Sequence, residues 1–239
     1  MAEKFEGRDL RDATFWGVDL TGARFRDTLV RNVTITHSRL ERLTIDSFVD
    51  EVVINGVDVT EYVNDRDPWY PLRAMLHPTD RNGMLAAWDA LEAEWAPTID
   101  RATALTDAQR RTSVGGEWSF VDTLRHLVFC MDKWFTVPVL GEPAFDPMGR
   151  SNSGSVDFPW PGVDRDADPT FEEVLAVRAS QAATFRDFLE SVTPTALDRE
   201  VEVLENGPGF PVRDCIFVVF EEEFEHHRYA VRDLVQITG

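Results

Sequence analysis

Three histidines lie in segments that could aim their side chains at one point. His126 sits in Leu124-Arg125-His126-Leu127, and His226 and His227 follow the run Glu221-Glu222-Glu223 closely. Glu223 and His227 are four residues apart, so on a helix they share a face. That face continues the apolar stripe of Phe217, Phe220, Phe224, Val231 and Leu234. A carboxylate and an imidazole in such a stripe need a partner, because an unpaired buried polar group costs about 2–7 kcal/mol. A divalent metal would be one, and His126, on the inner side of its own helix, could reach the same point. Two His and one Glu leave a coordination position open, which suits a catalytic zinc-like ion better than a closed structural site. Glu222 and His226 have the same spacing but are rotated off the stripe, so they rank second as the metal pair. Either pair also fits a plain ion pair along a helix. His37 and His77 read as surface residues.

Other residues have simpler readings. Cys130, one turn after His126, reads as a small hydrophobe, with a thiol beside the metal as the alternative. Arg228 could hold a substrate carboxylate. Arg232 and Asp233 read as a helix-end ion pair. Trp118 and Trp134 read as packing or pocket-wall residues.

Four helices must position these groups. The first is expected over about Arg81–Ala104, capped by Asp80, with Met84, Trp88, Leu91, Trp95 and Ile99 at three- and four-residue spacing. The second starts at the cap Ser119 and runs to about Phe135. The third, Phe171 to about Ser191, opens on a Thr170/Glu173 capping box. The fourth covers about Arg213–Gln236. Between the second and third lies Gly141–Pro169, rich in Gly, Pro, Ser and Asp, a long crossover of the kind that is functional or mobile. Its Phe158 and Trp160 could fold over a pocket.

The N-terminus has another rhythm. Phe5, Leu10, Phe15, Leu20, Phe25, Val30, Ile35, Leu40 and Ile45 recur every five residues. Smaller or apolar residues precede several of them by two: Ala13, Val18, Ala23, Val33 and Leu43. Period five fits neither a helix nor a strand, but it fits a chain that turns a corner every five residues. This segment, Phe5–Phe48, resembles the pentapeptide-repeat family, which implies a right-handed quadrilateral β-helix. Thr28, Ser38 and Phe48 depart from the repeat at the small position. Val52–Val63 then reads as a hairpin turning at Asn55-Gly56. The expected architecture is α+β and multidomain: a short β-helix with a terminal hairpin (1–63), a linker (64–78) and a four-helix bundle with a long crossover (79–239).

Composition limits the partners. The 239 residues carry 24 basic and 43 acidic side chains, a net charge of -19. So acidic a chain, without a basic patch, disfavours nucleic acid and anionic membranes. Residues 1–60 hold 8 basic and 11 acidic side chains, so -3 lies there and -16 in the remainder. Two cysteines, Cys130 and Cys215, cannot make a disulfide framework. No signal peptide is evident in the charged start, and the chain reads as cytoplasmic.

Glu117-Trp118-Ser119 with Leu124-Arg125-His126-Leu127 resembles the first signature of the DinB-like metalloproteins, and Glu221–Leu234 resembles the second. The resemblance spans about residues 78–236 and implies a helical bundle with a metal held by His126, Glu223 and His227. Glu at the middle position is similar to the branch of mycothiol-dependent maleylpyruvate isomerases and thiol transferases. That resemblance implies zinc or nickel, a low-molecular-weight thiol as cosubstrate, and S-transfer or thiol-dependent isomerisation of a small electrophile. A metal-dependent hydrolase, with Glu222 or another acid as base, and an inactive interaction module are the competing readings. A homodimer fits any of them.

Overall fold

The computed structural model describes residues 4–5, 7–25, 28–45, 47, 49 and 51–238, and the chain divides into two units, Met1–Ser47 and Phe48–Gly239.

The first unit has no β-strand among its described residues, so the expected β-helix is corrected to a chain of bends. The rhythm of five survives in the backbone. Gly7, Asp12, Gly17, Gly22, Asn32, His37 and Arg42 all take positive φ, between 53° and 77°. Ala13 N–H donates to Leu10 O (3.1 Å) and Ala23 N–H to Leu20 O (2.9 Å) across two of these bends. The nine period-five side chains keep 46–71% exposure, so no apolar interior forms around them. A solenoid coil buries its inward residues only where further coils stack on it. Nine repeats supply little more than two coils. Phe48 lies outside the described residues.

The second unit opens on a hairpin, β1 (Val53–Ile54) and β2 (Val57–Asp58). Its turn residues Asn55 and Gly56 have φ of 51° and 82°, the left-handed pair that a two-residue turn requires. Two short helices follow, α1 (Thr60–Asn64) and α2 (Tyr70–Arg73), and these too group with the second unit. Then comes α3 (Arg81–Thr103), capped by Asp80, whose carboxylate accepts from Gly83 N–H. After α4 (Asp107–Arg110) runs α5 (Phe120–Met131), capped by Ser119. Eleven of its 12 residues are buried, all but Asp122, which makes it the central helix.

The sequence predicts that this helix continues to Phe135. Instead α5 passes at Asp132 into a π-helix, Asp132–Leu140. The crossover then leads to α6 (Phe171–Ser191), which opens on the expected capping box. A short α7 (Pro194–Leu197) and an antiparallel hairpin, β3 (Glu200–Val203) with β4 (Gly207–Pro211), precede α8 (Val212–Thr238).

The four long helices pack in pairs: α3 on α8, α8 on α5, α5 on α6 and α6 on α3. Phe185, Phe220, Phe224, Met84, Leu91 and Phe135 fill the main core between them. A second cluster around Trp95, Leu124, Leu127, Phe171 and Leu234 extends it. No helix among the described residues is long and apolar enough to cross a membrane.

Candidate metal centre

The crossover fixes His126. Arg150 N–H donates to the Arg125 carbonyl (3.1 Å), and Arg125 Nε donates to Met148 O (2.9 Å). Phe145 and Trp160 anchor the segment against Phe129 of α5, at ring separations of 5.3 and 4.8 Å. Asp132 accepts from Asp146 N–H (2.7 Å), which ties the start of the crossover to the π-helix. Gly162 (φ 89°) allows the close approach, since a Cβ there would stand 2.5 Å from the Phe145 carbonyl. The crossover is therefore packed onto α5, and its Trp160 is a core residue rather than a loose cover.

With the crossover in place, His126 Nδ1 lies 2.8 Å from the Arg150 carbonyl. A carbonyl can only accept, so Nδ1 carries the proton, and Nε2 of the neutral ring presents a lone pair. Around Nε2 stand Cys130 Sγ at 3.2 Å and Glu222 Oε2 at 3.6 Å. The same Glu222 oxygen is 3.2 Å from His226 Nε2. Trp118 closes one side, 4.6 Å from the His126 ring and 6.1 Å from that of His226. Arg150 lies over Trp118 and pairs with Asp122 at 3.0 Å.

An imidazole, a carboxylate and a thiol thus converge, and His226 reaches the same Glu222 oxygen. Burial works to raise the Glu222 pKa, but the neighbouring His126 and His226 outweigh it and hold the carboxyl well below its usual range. Burial, with the Glu222 charge adding to it, pushes the Cys130 thiol far above its usual value. The anchoring of His126 by a backbone carbonyl is the outer support that metal-bound histidines ordinarily have. Zinc–nitrogen and zinc–oxygen bonds near 2.0–2.2 Å give tetrahedral edges of roughly 3.3–3.5 Å. The edges here, 3.2 and 3.6 Å, bracket that value. Imidazole, carboxylate and thiol donors suit zinc and its neighbours, not magnesium or calcium. His126, Cys130 and Glu222 offer ligand atoms within 4.8 Å of one another.

The structure does not bring Glu223 and His227 to His126. The Glu223 carboxylate accepts two bonds from Arg178 of α6, at 3.1 and 2.8 Å, and is 3% exposed. It lines a cavity of about 380 Å³ with Trp88, Trp95 and Arg178. His227 Nε2 meets Thr98 Oγ1 of α3 at 2.9 Å, between Trp69 and Trp95. Successive helix residues are rotated by about 100°, so the two pairs look in different directions. The stripe points at α3 and α6, which already carry a hydroxyl and a guanidinium for it. The pair rotated off the stripe is the one that looks toward α5 and His126.

Arg228 pairs with Glu225 of its own helix (2.9 Å). Arg232 pairs with Asp233 (2.7 Å). Trp134 packs on Phe210 of β4 (5.8 Å), lies near Lys133 and borders the cluster of Phe129 and Cys130. His77 meets Glu221 at 2.6 Å, and His37 sits exposed at a bend of the first unit. Thr98, Arg178 and the Arg150 carbonyl were not legible as site-shaping groups. Their partners are set by tertiary packing between segments distant in sequence.

A family model of the DinB superfamily matches residues 90–230, more than half of the chain. The chain belongs to the DinB superfamily. The match takes in α5, α6 and the glutamate–histidine run of α8, the elements that carry the donor cluster. It begins beyond the first unit, so the five-residue rhythm lies outside it. No curated protein and no solved structure matches significantly. Membership in this metal-binding superfamily and a His/Cys/Glu cluster fit a metal-dependent function.

Proposed function

We propose that this DinB protein is a divalent-metal-dependent enzyme whose ion is held by His126, Glu222 and His226 in a four-helix bundle. We further propose that it activates a low-molecular-weight thiol against a small electrophile, in S-transfer or thiol-dependent isomerisation. The observation that carries the reading is His126: Nδ1 tied to a carbonyl, Nε2 turned to the carboxylate that also meets His226.

When bound, the ion would lower the pKa of a thiol beside it and supply thiolate at neutral pH. The protein's own groups do the rest. The Arg150 carbonyl and Glu222 orient the two imidazoles. Trp118 shields one side. Arg150, with its side chain 42% exposed, offers a cation to a substrate acid in an otherwise acidic domain. This moves the carboxylate-binding role from Arg228 to Arg150. In the hydrolase alternative Glu222, placed between two imidazoles, is the weaker choice of base, and another acid would have to serve.

The test is a thiol-consumption assay with zinc- or nickel-loaded protein, a thiol such as mycothiol, and a chlorinated nitroarene. Metal-dependent thiol loss above a His126→Ala control is the expected result. Metal-dependent ester or amide turnover without thiol would replace the reading with hydrolysis.

A further inference from the structure

Three donors do not account for the sulfur in this cluster. Cys130 stands one helical turn after His126, so its side chain falls on the same face of α5. Its Sγ is 3.2 Å from His126 Nε2, the atom that looks toward Glu222 and His226. With Zn–S near 2.3 Å and Zn–N near 2.0–2.1 Å, a tetrahedral N···S edge is roughly 3.5 Å. The sulfur therefore lies within reach of an ion held by His126 and Glu222, and a turn of the His226 side chain would complete the set. The charge count points the same way. Two neutral imidazoles and one carboxylate leave a buried divalent ion with a net charge of +1, which is costly in a core. A thiolate brings the cluster to zero. Lys133 does not compete for the sulfur's charge, since its ammonium pairs with Glu205 at 2.9 Å.

Resting on the metal reading above, we infer that Cys130 is a fourth ligand, so that the resting centre is a closed two-His, one-Glu, one-Cys tetrahedron rather than an open three-ligand site. The sulfur position is then already filled from within the chain, and an external thiol must compete with Cys130 for it. A soft fourth ligand also biases the site toward zinc, cobalt and cadmium over manganese and magnesium.

Cobalt(II) loaded into the full chain reads this out directly. The wild type should show the near-ultraviolet thiolate-to-cobalt charge-transfer band. Cys130→Ala should lose it, bind cobalt at least roughly tenfold more weakly, and regain the band when a small thiol such as 2-mercaptoethanol is added. Cys215→Ala removes the other thiol, which is buried in the main core, and should keep the band. If Cys130→Ala does not fold, X-ray absorption of the zinc-loaded wild type decides instead, with one sulfur expected in the first shell. Metal uptake without a sulfur ligand overturns this inference and leaves the three-ligand centre standing. No uptake at all overturns both.

Discussion

Two Glu-x-x-x-His pairs lie on α8, displaced from each other by a single residue, and they meet opposite fates. Glu223 and His227 follow the apolar stripe into the core, where Arg178 binds Glu223 and Thr98 meets Nε2 of His227, while its buried Nδ1 has no hydrogen-bond partner among the described residues. Glu222 and His226 leave the stripe and face His126 and Cys130. The identical spacing makes each pair a unit, but only the neighbouring helices decide what the unit does. A polar pair deep in a core must be matched by protein groups, or the fold does not form. A pair at the edge of the core can keep its lone pairs for something else. Burial alone therefore does not tell which pair faces His126.

The contrast can be broken most sharply at Glu222. Glu222→Ala should weaken zinc binding by on the order of 1,000-fold, about 4 kcal/mol, in a competition titration with a chromophoric chelator. Metal affinity unchanged in that variant would end the distinction between the pairs. Glu223→Ala should act on the other property. It strands Arg178 beside the core and should cost about 3–4 kcal/mol of stability in urea unfolding, with metal stoichiometry intact in the folded fraction. Adding Arg178→Met should recover most of that loss.

Acid offers a third separation. Burial pulls the His227 pKa from 6.5 down to about 4, with the nearby Glu94 backbone working the other way. The unfolded chain takes up a proton on this ring below about pH 6.5, which the folded chain resists until about pH 4. Stability should thus fall as pH drops through this window, by up to about 3 kcal/mol. His227→Gln should flatten that part of the curve. An unchanged slope in the variant would mean the ring is not held neutral. The smallest effect is expected at Trp118, which touches both imidazoles of the cluster without donating to it. Trp118→Ala should weaken metal binding by about tenfold and leave the unfolding midpoint nearly unchanged.

Much of the helical frame was legible because caps and stripes are local. Asp80, Ser119 and Thr170 begin α3, α5 and α6 where the sequence places them. The π-helix left one local sign, Pro138, but a proline marks a helix as disturbed without saying that the ladder widens. The β3–β4 hairpin left only a weak signal, the alternation of Val201 and Val203 before Asn206-Gly207. The five-residue rhythm of the first unit was legible as bends, but its burial was not, because burial in a solenoid depends on how many coils stack. At the centre, the three segments that meet were all readable. The rotation of α8 was not, because hydrophobic periodicity reports which face is buried and not which polar groups the opposing helices offer.

The most direct measurement is metal content per chain for His226→Gln and His227→Gln, loaded with zinc, desalted together and analysed by inductively coupled plasma mass spectrometry. Both substitutions keep a side chain of similar size that can form hydrogen bonds, so both variants should fold. The account predicts that His227→Gln retains one zinc per chain and that His226→Gln retains almost none. Zinc kept by His226→Gln and lost by His227→Gln would contradict it and return the centre to the apolar stripe.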